Sequence, residues 1–185
     1  MDGSWRSPAR RAALRSRARR RSPGVPQRPW RLSPLEAAGV PGLLIVNGHG
    51  GNYVLSNVVQ ELNVAGPHIA LFPASEDRRR ARADAELVSR ADEDMHGGEF
   101  EVSLLLHGAP EAVGDGIADE DHSAPDRLHL LTLGMAGYTT NGIIGQPSLA
   151  TAAKGKALLD SFSHSARAHL ALISEPREPH ASIQS

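Results

Sequence analysis

The 185-residue chain contains no cysteine, and aromatic residues make up only 4% of it. The first absence excludes disulfides and thiolate metal sites and fits a cytoplasmic protein, the location expected here. The second predicts an aliphatic core built on Leu, Val, Ile and Ala. No apolar stretch approaches the ~18 residues of a membrane span, and no signal-peptide apolar segment is present. Acidic residues are also absent where they would balance a tail: residues 1–31 hold ten arginines and one acid, Asp2. The remainder carries ten basic and twenty acidic residues, so the net charge of -1 conceals a basic tail joined to an acidic body.

What is present divides the chain into three parts. Residues 1–33, rich in Arg, Ser and Pro, lack the aliphatic periodicity that could offset ordering entropy and are read as a disordered tail. Residues 34–174 form the folded domain, and 175–185 a frayed polar end. Ser33-Pro34-Leu35-Glu36 has the form of a short helix start ending by Gly39. Gly42–Val46 reads as a strand buried on both faces, because its hydrophobicity is continuous rather than alternating. Asn52–Ala65 reads as a helix stopped by Gly66-Pro67, and His68–Phe72 as a second strand. Arg78–Arg90 reads as a solvated helix or loop. A helix starts near Gly98, residues 108–127 form an acidic loop, Leu128–Leu133 could be a strand, and Ser148–Ile173 is a long amphipathic helix with Phe162 inside.

Three motifs carry chemistry. Asn47-Gly48-His49-Gly50-Gly51-Asn52 follows the first strand, at the edge where open α/β sheets place ligands. Its asparagines can tie the loop to itself, its three glycines permit close approach, and His49 is a candidate metal ligand or proton carrier. His96-Gly97-Gly98-Glu99-Phe100-Glu101-Val102-Ser103 sets a second histidine before an acid-bearing helix start. Glu99 and Glu101 are two apart, so only one is expected to face a site. The other reading of both is plain complementation of the helix dipole, favoured more for Glu99 than for Glu101. Histidine and carboxylate together suit zinc or manganese, which lower the pKa of bound water and polarise a carbonyl, while a second histidine moves the proton. Asn141–Ser148 is a glycine-proline loop lacking the register of a phosphate-binding loop. Lys154, in the helix after it, is read as solvated.

In this order, the three motifs resemble the creatininase (creatinine amidohydrolase) family over roughly residues 35–173. The resemblance implies a three-layer α/β/α fold with a mostly parallel sheet, a homo-oligomer, and a two-metal site that opens amide bonds of small substrates. By resemblance His49 is a metal ligand, His96 the catalytic acid/base, and Glu101 a carboxylate ligand or its partner, with Zn or Mn as the metal. Where creatininase proper has a liganding glutamate this chain has Gly51, and where it has a catalytic glutamate this chain has Met95, which argues against creatinine as substrate. The family's upstream Glu-x-His pair and bridging Asp have no counterpart before residue 47, leaving the fold and the ligand set incomplete at the N-terminus. Three readings follow: a chain cut short or mis-started upstream, which is preferred; a degenerate member acting as a non-catalytic binding or assembly protein; or a partner supplying the missing ligands. Nucleic-acid binding by the arginine tail and a transit-peptide role each rank lower.

Overall fold

The computed structural model describes residues 38–65 and 68–174 of the chain. The Arg-rich tail, the Gly66-Pro67 stop, the polar C-terminal end and all but the last two residues of the expected Ser33–Gly39 helix lie outside them. The fold is α/β, with a small parallel sheet. Strand β1 (Leu43–Val46), helix α1 (Val54–Leu62) and strand β2 (Ile69–Phe72) make one parallel crossover unit, with Leu43 opposite Ile69 and Val46 opposite Phe72. Asn63, just past α1, fixes where β2 begins. Its side chain accepts from the backbone of His68 and Ile69 at 2.9 and 3.0 Å and donates to the Ile69 carbonyl at 2.8 Å.

Continuous hydrophobicity misleads in β1. The strand is not buried on both faces: Leu43 is 37% and Val46 69% exposed, whereas in β2 Ile69, Ala70 and Phe72 are buried. The reason is topological, since β2 is the only strand paired with β1 among the described residues. An apolar run reports what a strand could bury, not how many neighbours it finds.

Three helices complete the body: α2 (Ser75–Asp84), α3 (Glu99–Gly108) and α5 (Ala152–Ser174), with the one-turn helix α4 (Leu130–Leu133) between the last two. Ala81 and Ala85 at the end of α2 and Leu158 of α5 are buried at the centre, packed by Leu104, Phe100 and Phe162. The expectation of a purely aliphatic core is therefore corrected. All three phenylalanines of the chain converge there, with Phe72 and Phe100 each meeting Phe162 edge-on at centroid distances of 5.7 and 5.9 Å. Few aromatics in the composition does not mean few in the core, because each buries a large area and repays central placement.

Helix α3 lies hard against α5. A Cβ on Gly155 would overlap the carbonyl oxygen of Ser103 and stand 2.6 Å from its carbon. Ser103, fully buried, returns the contact by accepting the Thr151 amide at 3.2 Å just ahead of α5. Helices α2 and α5 are clasped by Ser161 donating to Asp84 at 2.6 Å and by the His169–Asp77 pair at 2.9 Å. Two other expectations change. Leu128–Leu133 is not a strand but contains α4, closed by Leu133 and Gly134 amides on the His129 and Leu130 carbonyls, with no strand to pair with among the described residues. Arg78–Arg90 is only partly solvated, since Ala81 is fully buried and Arg82 turns inward. No helix among the described residues is long and apolar enough to cross a membrane.

Candidate active site

The ladder between the strands runs one step past β1, with the Asn47 amide donating to the Phe72 carbonyl at 2.6 Å. The chain then leaves the sheet, and Asn47 organises the turn. Its side-chain oxygen accepts from the His49 amide at 3.2 Å and from the Asn52 side chain at 2.9 Å. Of the three glycines, only Gly51 has a steric task, because a Cβ there would stand 2.7 Å from His49 Nε2. The imidazole folds back over Gly51. At Gly48 and Gly50 a Cβ would meet nothing within 4 Å.

The second histidine sits in an isolated antiparallel bridge to Ile144. Met95 and His96 amides donate to the Ile144 carbonyl at 2.8 and 3.0 Å, and the Ile144 amide returns a bond to His96 at 2.9 Å. This assigns the third motif its role: the glycine-rich loop is a backbone brace for His96. The fit requires glycine on both sides, since a Cβ on Gly145 would lie 2.6 Å from the Gly98 Cα. Gly97, at φ +64°, turns the chain into α3. Asp94 caps the helix by accepting the Phe100 amide at 3.1 Å and is itself held by Arg82 at 2.8 Å.

The two loops bring His49, His96 and Glu101 to one place. The imidazoles meet edge-on at 6.1 Å between centroids. Glu101 Oε2 accepts the Gly97 amide at 2.6 Å and lies 3.6 Å from His96 Nδ1, just beyond hydrogen-bond contact. Both side chains are partly exposed, at 43% and 39%.

Glu99 turns the other way. It is fully buried and accepts from the Ser89 amide at 2.7 Å, the Ser89 hydroxyl at 2.6 Å, the Val88 amide, and Lys154 Nζ at 2.5 Å. Burial alone would push its carboxyl up. The hydrogen bonds from Lys154, Ser89 and Val88 together outweigh that and hold it below the ordinary glutamate value. Lys154 is correspondingly not solvated, since its ammonium also donates to the Leu149 carbonyl at 2.8 Å. Together these residues lock the 88–89 turn, α3 and α5 beneath the site.

A cavity of about 990 Å³ opens beside the histidines. His49 and Glu101 line one part of it, Phe72, Phe100 and Phe162 give apolar wall, and Arg78, Arg79 and Arg82 of α2 add cationic wall. Reading the arginine run as solvated missed this wall. The signal available was the spacing of Arg78 and Arg82, which puts both on one face of a helix. Met95 also lines the cavity.

As a metal centre the described residues are incomplete. Among them no group of three or more histidine, aspartate or glutamate side chains is placed to hold a metal ion. His49 and Glu101 offer two donors, where tight zinc sites use three or four.

The chain matches the family model of creatinine amidohydrolase over residues 32–170. It is 32% identical over 118 residues to the mycofactocin precursor peptide peptidase of Mycobacterium ulcerans, covering 62% of this chain and 42% of that protein. The protein of the same name from Mycolicibacterium smegmatis is 32% identical over 121 residues, with the same coverage. That from Mycobacterium tuberculosis is 30% identical over 118 residues, covering 62% of this chain and 41% of that protein. The match thus spans less than half the length of these relatives. No solved structure matches the chain.

Proposed function

The chain belongs to the creatininase family, and from that premise we propose that it hydrolyses an amide bond of a small or peptide substrate in the cleft between His49 and the arginine face of α2. The observation that carries the reading is that two separately braced loops bring His49, His96 and Glu101 together, with His49 and Glu101 in the wall of the cavity and His96 beside them. Such bracing costs conformational freedom and polar groups that a plain turn would not need.

The chain's own residues divide the work. His96 is the proton carrier, taking a proton from the attacking water and returning it to the leaving nitrogen. The brace on Ile144 holds its backbone, and Glu101 stands on its Nδ1 side. The phenylalanine wall offers apolar surface on which a substrate side chain can rest. His49 and Glu101 are the family's metal-ligand positions in this chain; as two donors they form a partial set, and no step is assigned to a metal here. The relatives' name points to peptide amides as the first substrates to try.

The test is amine release from N-acylated peptides and small cyclic amides by the purified chain, with and without added zinc or manganese, alongside measured metal content. The expected result is turnover that falls about 100-fold or more in His96→Ala. Equal rates in that variant would remove His96 from the mechanism. The second reading, a non-catalytic binding member, is favoured by the two-donor set and by Met95. It is the outcome if the wild-type chain neither turns over any substrate nor retains metal.

A further inference from the structure

Among the described residues, one charge in the cleft wall has no counter-charge. Three guanidinium groups line the cleft, and two are already occupied: Arg82 is paired with Asp94 at 2.8 Å and donates to Ser89, and Arg79 is paired with Glu76. Glu101, the nearest remaining acid in the wall, is engaged by the Gly97 amide and faces His96. Arg78 has no carboxylate within ion-pair distance among the described residues, and its side chain borders a cavity whose other walls include Phe72, Pro73 and Phe100. Arg78 is exposed, so its guanidinium can be reached by an anion that enters the cleft. Guanidinium geometry matches the two oxygens of a carboxylate.

We propose that Arg78 is a substrate-selecting residue: it binds a carboxylate of the amide substrate, beyond an apolar group that rests on the phenylalanine wall. The proposal rests on the reading of this cleft as an amide-hydrolysing site, and it names the class of substrate that site takes, a carboxylate-bearing amide with an apolar side chain. Paired Arg82 shapes the wall instead of meeting the ligand.

The experiment measures binding, not turnover, so that a failure of the hydrolytic reading and a failure of this one are separate results. N-acetylphenylalanine, its neutral C-terminal carboxamide and its phosphonate analogue are titrated into the full chain by calorimetry. The carboxylate is expected to bind about tenfold more tightly than the carboxamide, one charge-assisted contact being worth that factor. Arg78→Gln is expected to abolish the preference, Arg78→Lys to keep part of it, and Arg80→Gln, outside the cavity wall, to keep all of it. Equal affinities in the wild-type chain, or an undiminished preference in Arg78→Gln, would overturn the proposal. Tighter binding of the phosphonate than of the carboxylate would overturn the carboxylate assignment. Because Arg78 lies on the exposed side of α2, its variants leave the core intact.

Discussion

Glu99 and Glu101 are two residues apart on one helix, and replacing each by glutamine separates structure from chemistry. Glu99 is fully buried and satisfies Val88, Ser89 and Lys154, whose side chain is 21% exposed. Glutamine keeps one acceptor but turns an NH2 group toward N–H donors or toward the ammonium, and it leaves that ammonium without its counter-charge. Removing one partner of a buried pair costs about 3–5 kcal/mol; the residual exposure of Lys154 favours the lower end, about 3. At a urea slope of about 2 kcal/mol/M, the midpoint should fall by about 1.5 M. Glu101 is 39% exposed and accepts one backbone bond, which a glutamine carbonyl can still accept, so Glu101→Gln should cost less than about 1 kcal/mol. Urea unfolding of both variants, with amide hydrolysis measured under native conditions, tests the pair. Glu99→Gln should lose stability, and Glu101→Gln should lose activity with its unfolding midpoint nearly unchanged. An unfolding midpoint for Glu99→Gln within about 0.2 M of wild type would refute the reasoning, because a cost of 3 kcal/mol could not hide there.

The remaining predictions concern the same framework. Since the Glu99 carboxyl is held below its ordinary value, its contribution to stability is fully present above the ordinary glutamate range. It is lost as pH falls through the lowered value, so wild type should approach Glu99→Gln in stability on acidification, and parallel unfolding curves across acid pH would contradict this. Gly155→Ala should destabilise by about 2 kcal/mol despite the helix propensity gained, because the overlap is with backbone and not with a movable side chain. Gly108→Ala, where a Cβ meets nothing, should be neutral or slightly stabilising, and thermal melts compare the two. Asn47→Ala removes the acceptor of both the His49 amide and the Asn52 side chain. It should cost about 1 kcal/mol in stability and proportionately more in hydrolysis rate, as the His49 ring loses its fixed position; histidine NMR signals would show the loosening, and an unchanged His49 signal would speak against it.

Local order was legible in the sequence wherever it follows from neighbours along the chain. The strand before His49, the helix after it, the second strand at Ile69 and the start of α3 at Gly98 all lie within a few residues of their expected bounds, because turn glycines, caps and apolar spacing act over short range. The same is true of the choice between Glu99 and Glu101, since helical spacing alone sends residues two apart to different sides. The motif pairing also made the family legible: residues 32–170 match its model.

Contacts between distant segments were not legible. The exposure of β1 depends on having β2 as its one strand neighbour, which an apolar run cannot report. Leu128–Leu133 has strand-like composition, yet it has no partner strand among the described residues and its amides close locally into a helical turn. Lys154 and Arg82 look like solvated charges in sequence, and they are drawn inward by Glu99 and Asp94, 55 and 12 residues away. The sequence by itself therefore determined the family and the α/β class. Only the tertiary structure decided that the glycine-rich loop at Ile144 braces His96, that the chain's three phenylalanines form one wall, and that Arg78 faces the cleft without a counter-charge among the described residues. Covalent neighbours set which conformation a segment prefers, whereas burial and charge pairing depend on what the rest of the chain places beside it.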